Sequence, residues 1–396
     1  MASLPIMTKL RSVPTLPESS PTAAEFFAGV GLARLGLEQG GFRVVWSNDI
    51  EADKRAMYEG HFQDPSGTHH FDLGDVGKVT GDEMPDRLSL AWASSPCTDL
   101  SLAGSRAGLS GAASGTFWHF TRVLDEMGDR RPAVITLENV VGLATSHGGD
   151  DLAAAITEMN RLGYSVDVVT IDARRFLPQS RPRLFLIGAL EVPVEDPNPV
   201  SDLRPDWLQG PYSDKTLVTH RALLPALPSP LTTGLGDLVE RLPRADSRWW
   251  DAARTAAFLT SLSEVQAKRL RSLRSGRTVS YRTAYRRTRN GLPVWEIRAD
   301  DVSGCLRTAR GGSSKQAVVK AGRGQVSVRW MTPVEYARLM GGGSYNLDNI
   351  RVNQALFGFG DAVAVPAVGW LAENYLMPLV SGALLPKAAP HSVGAL

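Results

Sequence analysis

Apolar positions along the chain cluster into short runs separated by polar, glycine-bearing stretches. The runs at 23–27, 44–47, 88–93, 133–137, 166–171 and 184–187 have the length of buried strands. Helical spacing of apolar residues falls between several of them, at 115–127 and 150–162. Strands alternating with helices predict an α/β domain on a mostly parallel, twisted sheet. From about 190 to 260 the chain turns Pro-rich, and a further helix is predicted over 263–273. Between 275 and 330 short strand-like runs are split by Gly pairs, notably Gly311-Gly312, which predicts a small irregular domain. Thr332, Pro333 and Glu335 then supply the cap, the first-turn proline and the reciprocal carboxylate of a new helix. Apolar residues from 362 to 376 predict a last helix that returns to the first domain. The chain thus divides into a Pro/Ser/Thr-rich, disordered lead-in at 1–20, a large domain of 21–195 plus 355–396, and a smaller domain of 196–354.

Composition adjusts this picture in three places. A 396-residue chain with 43% hydrophobic residues can bury a large core and a satellite one. No uninterrupted apolar run reaches the roughly 18 residues of a membrane span, and the first residues lack a basic region followed by an apolar one, so a cytoplasmic location is expected. Two cysteines, Cys97 and Cys305, allow one bridge at most, and no Cys/His pairing has zinc spacing, so no metal is expected. The net charge of +2 hides an asymmetry. Positions 241–330 hold 20 basic and 6 acidic residues, against 23 and 35 in the remainder. A cationic third is attached to an acidic body. Within it, Tyr281–Arg289 interleaves arginines with aromatic rings, as phosphate neutralisation by a nucleic-acid-binding face requires.

Candidate chemistry sits at strand ends. Phe27, Gly29 and Gly31 follow the first run directly, where an open α/β sheet receives a nucleotide-like ligand. Asp49 lies 20 residues after Gly29, the distance at which a carboxylate accepts hydrogen bonds from ribose hydroxyls. Asp75, in Gly74-Asp75-Val76, is placed to meet an adenine amino group. The turn continues Leu32-Ala33-Arg34 without the next glycine of a pyrophosphate site, which fits S-adenosylmethionine better than a dinucleotide. Farther on, Ser95-Pro96-Cys97 ends a strand and opens a Gly-rich stretch. Glu138-Asn139-Val140 ends another, and Gln179-Ser180-Arg181-Pro182-Arg183 precedes a third.

With these motifs in this order, and with Thr332–Gly341 and Gly360–Pro366 closing the set, the chain resembles the cytosine-C5 DNA methyltransferases over most of residues 22–376. The resemblance implies a Rossmann-like S-adenosylmethionine-dependent domain with a smaller target-recognition domain, and transfer of a methyl group to C5 of cytosine in double-stranded DNA. It implies that the base is flipped out of the duplex and that the Cys97 thiolate adds to C6 to make C5 nucleophilic. Glu138 then protonates N3, while Arg183, with Arg181, holds the base carbonyl and orients the carboxylate. The implied cofactor set is Phe27, Gly29, Gly31, Asp49, Ile50, Asp75, Val76, Pro96, Phe117, Asp361, Ala362 and Val363. Residues 101–115, with Ser101 and Arg106 as DNA contacts, become a loop that closes over the DNA. In the variable region Arg310, Lys315, Gln316 and Arg323 are the candidate base readers.

Three positions depart from the family pattern. Thr98 stands for the usual Gln, Asp361 for the usual Asn, and Met340–Gly343 for a Gln-Gly-Phe-Pro run. A cytosine methyltransferase acting on tRNA and a catalytically silent DNA-binding regulator share much of this pattern. The long basic segment favours DNA, and intact Cys97, Glu138 and Arg183 favour catalysis. A restriction endonuclease or phage-defence proteins are the partners such an enzyme implies.

Overall fold

The computed structural model describes residues 16–96, 111, 115–289, 291–307 and 315–386. Seven strands form the large sheet: β1 (Thr22–Phe26), β2 (Arg43–Asp49), β3 (His70–Leu73), β4 (Leu88–Ser94), β5 (Val134–Val140), β6 (Ser165–Asp172) and β7 (Pro182–Ala189). Their order is β3-β2-β1-β4-β5-β7-β6. All neighbours run parallel except β7, which is antiparallel to both β5 and β6. Chain order reverses between β1 and β4, so the strand ends flanking that point open a crevice. Six of the seven strands coincide with the apolar runs. The seventh, β3, escapes them because only Phe71 of its four residues is buried.

Apolar layers cover both faces of the sheet. On one face helices α1 (Leu32–Gln39) and Val365–Leu371 bury Leu37, Val368 and Leu371 against Phe42, Trp92 and Phe185. On the other, the helices Thr116–Glu126 and Asp150–Arg161 bury Phe120, Leu124 and Ile156 against Phe26, Ile135 and Leu186. Helix α2 (Ala52–Phe62) lies beside β2 and β3. Each fully buried side chain of this size contributes about 1.5–3 kcal/mol.

Four antiparallel strands, β8 (Ser280–Arg289), β9 (Leu292–Ile297), β10 (Ala317–Gly322) and β11 (Gln325–Trp330), form a second sheet in the order β11-β10-β8-β9. The region expected to be irregular therefore holds a regular sheet. Both of its faces are covered, which removes the alternation that would have marked its strands. Ala284, Ala317 and Val319 face a cluster built on Phe258, Trp295, Trp250 and Trp330. Tyr281 and Val318 face Leu235, Tyr336, Met340 and Val30, and this cluster joins the small sheet to the large domain.

The boundary at 196 does not follow the packing. Leu203, Ala222 and Leu227 lie in the core of the large sheet, and Arg204 makes a buried ion pair with Asp167 on β6. Residues 16–20, within the expected lead-in, form a turn closed by Ser20 N–H donating to Pro17 O at 3.0 Å. The helical run Val352–Val380 is long and apolar enough to cross a membrane, yet 67% of its apolar window is buried inside the protein, as in a core helix.

Candidate active site

The cofactor end is a local construction. Phe27, Gly29 and Gly31 all adopt positive φ (58°, 57° and 75°), so the chain folds back on itself within five residues. At Gly31 a Cβ would meet the Tyr58 and Phe62 rings of α2 at 2.7 and 2.4 Å, so only glycine fits. Asp49 fastens this turn from β2: one carboxylate oxygen accepts from Gly29 N–H at 2.8 Å, the other from Glu51 N–H at 2.9 Å. Each oxygen keeps a lone pair for a further donor. Ile50, next along the chain, is 66% exposed. A fixed carboxylate beside an open apolar side chain suits a ribose with an attached adenine ring. Asp75 caps the short turn Val76–Lys78 by accepting from Gly77 N–H at 2.8 Å.

Beneath this turn lies a buried polar network. Arg34 of α1 donates to Glu38, Asp64 and Tyr58, and its backbone N–H reaches Glu25 on β1. Burial pushes the Glu25 carboxyl up to about 8, against the pull of Arg34.

The base end is assembled from distant segments. Ser94 of β4 pairs in register with Glu138 of β5, which places Glu138 beside the Ser95-Pro96 turn leading to Cys97. Asn139 fixes that turn: its amide donates to Ser95 Oγ at 3.0 Å. Across the sheet, Arg183 of β7 pairs with Glu138, Nε to Oε1 at 3.0 Å, with both side chains largely buried. Two residues earlier, Arg181 points elsewhere. Its guanidinium donates to Cys305 Sγ at 3.2 Å, Leu306 O at 2.8 Å, Gly360 O at 3.2 Å and Ala362 O. Gln179 makes a parallel tie, donating to Leu339 O and accepting from Leu306 N–H. Burial alone would raise the Cys305 thiol, but the Arg181 and Arg183 cations outweigh it and hold its pKa below the ordinary value.

Residues 22–376 match the model of the family described as C-5 cytosine-specific DNA methylase. The chain belongs to that family. Among its relatives, the type II methyltransferase M.HaeII of Haemophilus aegyptius is 29% identical over 44% of this chain and 53% of its own length. The type II methyltransferase M.Bsp6I of Bacillus sp. (strain RFL6) is 25% identical over 61% of this chain and 67% of its own. The chain spans about half to two thirds of the length of the first curated relatives it matches. The methyltransferase EhMeth of Entamoeba histolytica shares the fold, with a TM-score of 0.61 at 12% identity over 93% of this chain and 100% of that one.

Among the methylase residues anticipated from sequence, Phe27, Gly29, Gly31, Asp49, Ile50, Asp75 and Pro96 line the ends of β1 to β4, and Glu138 and Arg183 meet at the next strand ends. Others need correction. Arg181, expected beside the base, is 1% exposed and is a buried strut, because its terminal NH groups donate to the Cys305 thiol and to backbone carbonyls of two segments, at Leu306 and at Gly360 and Ala362. Gln316, expected to read a base edge, is buried with its amide donating to Gly304 O and Cys305 O. The Phe117, Val76 and Val363 side chains are buried in the core, Phe117 and Val76 on one face of the sheet and Val363 on the other. The Ala362 carbonyl accepts from Arg181. Lys315 donates to Asn353 Oδ1 at 2.7 Å, and Arg323 sits exposed at the β10–β11 turn. Cys97, Thr98, Ser101, Arg106 and Arg310, with most of the proposed closing loop, lie outside the described residues. Sequence reasoning missed Asn139 and Gln179, although each lies inside a motif it had used.

Proposed function

We propose that this methylase acts on cytosine in double-stranded DNA, adding a methyl group at C5 of a base flipped from the duplex. The observation that carries the reading is the Glu138–Arg183 pair, buried and at 3.0 Å, beside the turn that delivers Cys97. S-adenosylmethionine, when bound, supplies an electrophilic methyl group. Phe27, Gly29, Asp49 and Ile50 would hold its adenosine half, with Asp75 at the adenine. Cys97 adds to C6 of the base as a thiolate, and Glu138, oriented by Arg183, donates a proton to N3 as electron density moves towards C5. Loss of the C5 proton and departure of the thiol restore the ring. In this reading residues 21–227 with 355–396 form the cofactor unit. The small sheet of residues 280–330, with 20 basic residues across 241–330, supplies the DNA-recognition face, Arg323 and Lys315 among its contacts. A cytoplasmic location and a cognate restriction endonuclease or defence partner belong to the same proposal. Its test is expression in a host free of cytosine methylation, followed by mapping of 5-methylcytosine. A uniform modified motif, missing with Cys97→Ser, is expected. Unmodified DNA with the wild-type chain would overturn the reading.

A further inference from the structure

Cations in the 241–330 segment are of two kinds. Some are neutralised within the protein: Arg248 by Asp246 and Glu240, Arg298 by Asp300, Arg287 and Arg289 by Glu296. Arg271, Arg274, Arg277 and Arg323 are exposed, and among the described residues none of them pairs with a carboxylate. No acidic residue stands at 265–295 or 302–334 to supply one. Yet the fold draws these arginines together. Arg271 and Arg274 lie one turn apart on the helix Glu264–Ser275, and both line a cavity of about 390 Å³ that Gly324 and Gln325 of the β10–β11 turn also line. Arg274 Nε donates to Gly324 O at 2.8 Å and Arg323 Nε to Arg277 O at 3.2 Å, while the Arg323 and Gly324 N–H groups donate to Gly276 O and Arg274 O. Arg323 takes a positive φ of 53° in the turn between the paired Gly322 and Gln325, where Asn, Asp or Gly is the ordinary choice. Gathering like charges without a counter-ion costs free energy through self-repulsion, which an anionic ligand along the strip relieves.

The strip stands at the opposite end of the small sheet from the base end. Gln316, beside the first residue of β10, donates to the Gly304 and Cys305 carbonyls, and Cys305 accepts from Arg181. Arg323 follows the last residue of β10, so extended chain separates it from Gln316 by about 23 Å. Along a duplex that distance is about seven base-pair steps. Resting on the DNA methyltransferase reading, we propose that Arg271, Arg274, Arg277 and Arg323 form a phosphate-binding strip for duplex outside the recognised sequence. The strip adds affinity that is independent of base sequence and leaves the choice of cytosine to contacts nearer the base.

The test is equilibrium binding of the full chain to two duplexes centred on the mapped methylation site, one with about three flanking base pairs on each side and one with about twelve. The triple variant Arg271→Gln, Arg274→Gln, Arg277→Gln is expected to weaken the long duplex by about tenfold or more. Its slope of log affinity against log salt should fall by about 2–3, at ~0.9 per phosphate contact, while the short duplex stays within about twofold. Arg271→Gln with Arg277→Gln removes side chains that donate no hydrogen bond among the described residues, so it should give about two thirds of the slope change with packing untouched. Arg248→Gln, whose cation is already neutralised, should leave the length dependence as it is. Equal weakening of both duplexes, weakening of neither, or a loss as large with Arg248→Gln overturns the strip and leaves the methyltransferase reading standing. Failure of the wild-type chain to methylate DNA overturns the reading beneath it.

Discussion

The two ends of the crevice are built in opposite ways. The cofactor end takes its turn, its carboxylate and its cap from residues 27–77, and most of its bonds join positions within some twenty residues of one another, such as Gly29 to Asp49. The base end joins residues 124 to 181 positions apart, through Arg181 to Cys305, Leu306, Gly360 and Ala362, and through Gln179 to Leu339. A strand-turn-helix unit shapes the first site as it folds. The ties of Arg181 and Gln179 exist only once residues 305–306 and the C-terminal helices have docked beside β7. Binding cofactor and presenting a base are therefore separable properties, and variants should divide them.

The largest effect is expected at the base end. Glu138→Gln keeps shape but loses the transferable proton, so methylation should fall by roughly 10²–10⁴-fold in kcat while cofactor affinity and thermal stability hold. Next comes the contrast between the two arginines. Arg183→Met should lose activity by about 10²-fold or more with little change in Tm. Arg181→Met should instead cost about 3 kcal/mol of stability, because it strips the donors from several buried acceptors. If both variants behaved alike in a melt and a methylation assay, the division of labour between them would be wrong. At the cofactor end, Asp49→Ala removes the acceptor of Gly29 and Glu51, and S-adenosylhomocysteine binding should weaken by about tenfold. DNA binding in a gel shift should be untouched.

The smallest effect lies outside both ends. His220 is buried between Ser165 and Tyr375, and burial lowers its pKa from 6.5 to about 4. Burial likewise lowers His61 to about 4. An unfolded chain takes up these protons near pH 6.5, whereas the folded chain resists until about pH 4. Stability should accordingly fall as pH drops across that window. His220→Gln should flatten the dependence of Tm on pH between 6.5 and 4.

The same contrast explains what could be read from the sequence. Six strands of the large sheet announced themselves as apolar runs; Asp49 was singled out by its spacing from Gly29, and Asp75 by its place at a strand end. Glu138 and Arg183 were recognisable by motif order. Arg181 was assigned the wrong task because a Gln-x-Arg-x-Arg string carries no sign of which guanidinium turns into the core. That is decided by where Leu306 and Ala362 arrive from the far end of the chain. Gln316 misled for a related reason: a glutamine beside Gly-rich loops reads as exposed until Gly304 and Cys305 fold over it. The small sheet was obscured because Tyr281 and Ala284, on opposite faces of β8, both meet apolar partners. Conversely, the capping box at Thr332 and Glu335 formed as its spacing predicted, since it depends on four consecutive residues.

The claim that a thiol at residue 97 adds to a cytosine positioned by Glu138 and Arg183 is tested most directly by trapping. Duplex DNA carrying 5-fluorocytosine at the mapped site, incubated with protein and S-adenosylmethionine, blocks loss of the group at C5 and should leave protein and DNA covalently joined. An adduct stable to denaturation is expected, its peptide map placing the link at Cys97, absent from Cys97→Ser and retained in Cys305→Ser. An adduct mapping to Cys305, or none with DNA that the protein demonstrably methylates, would contradict it.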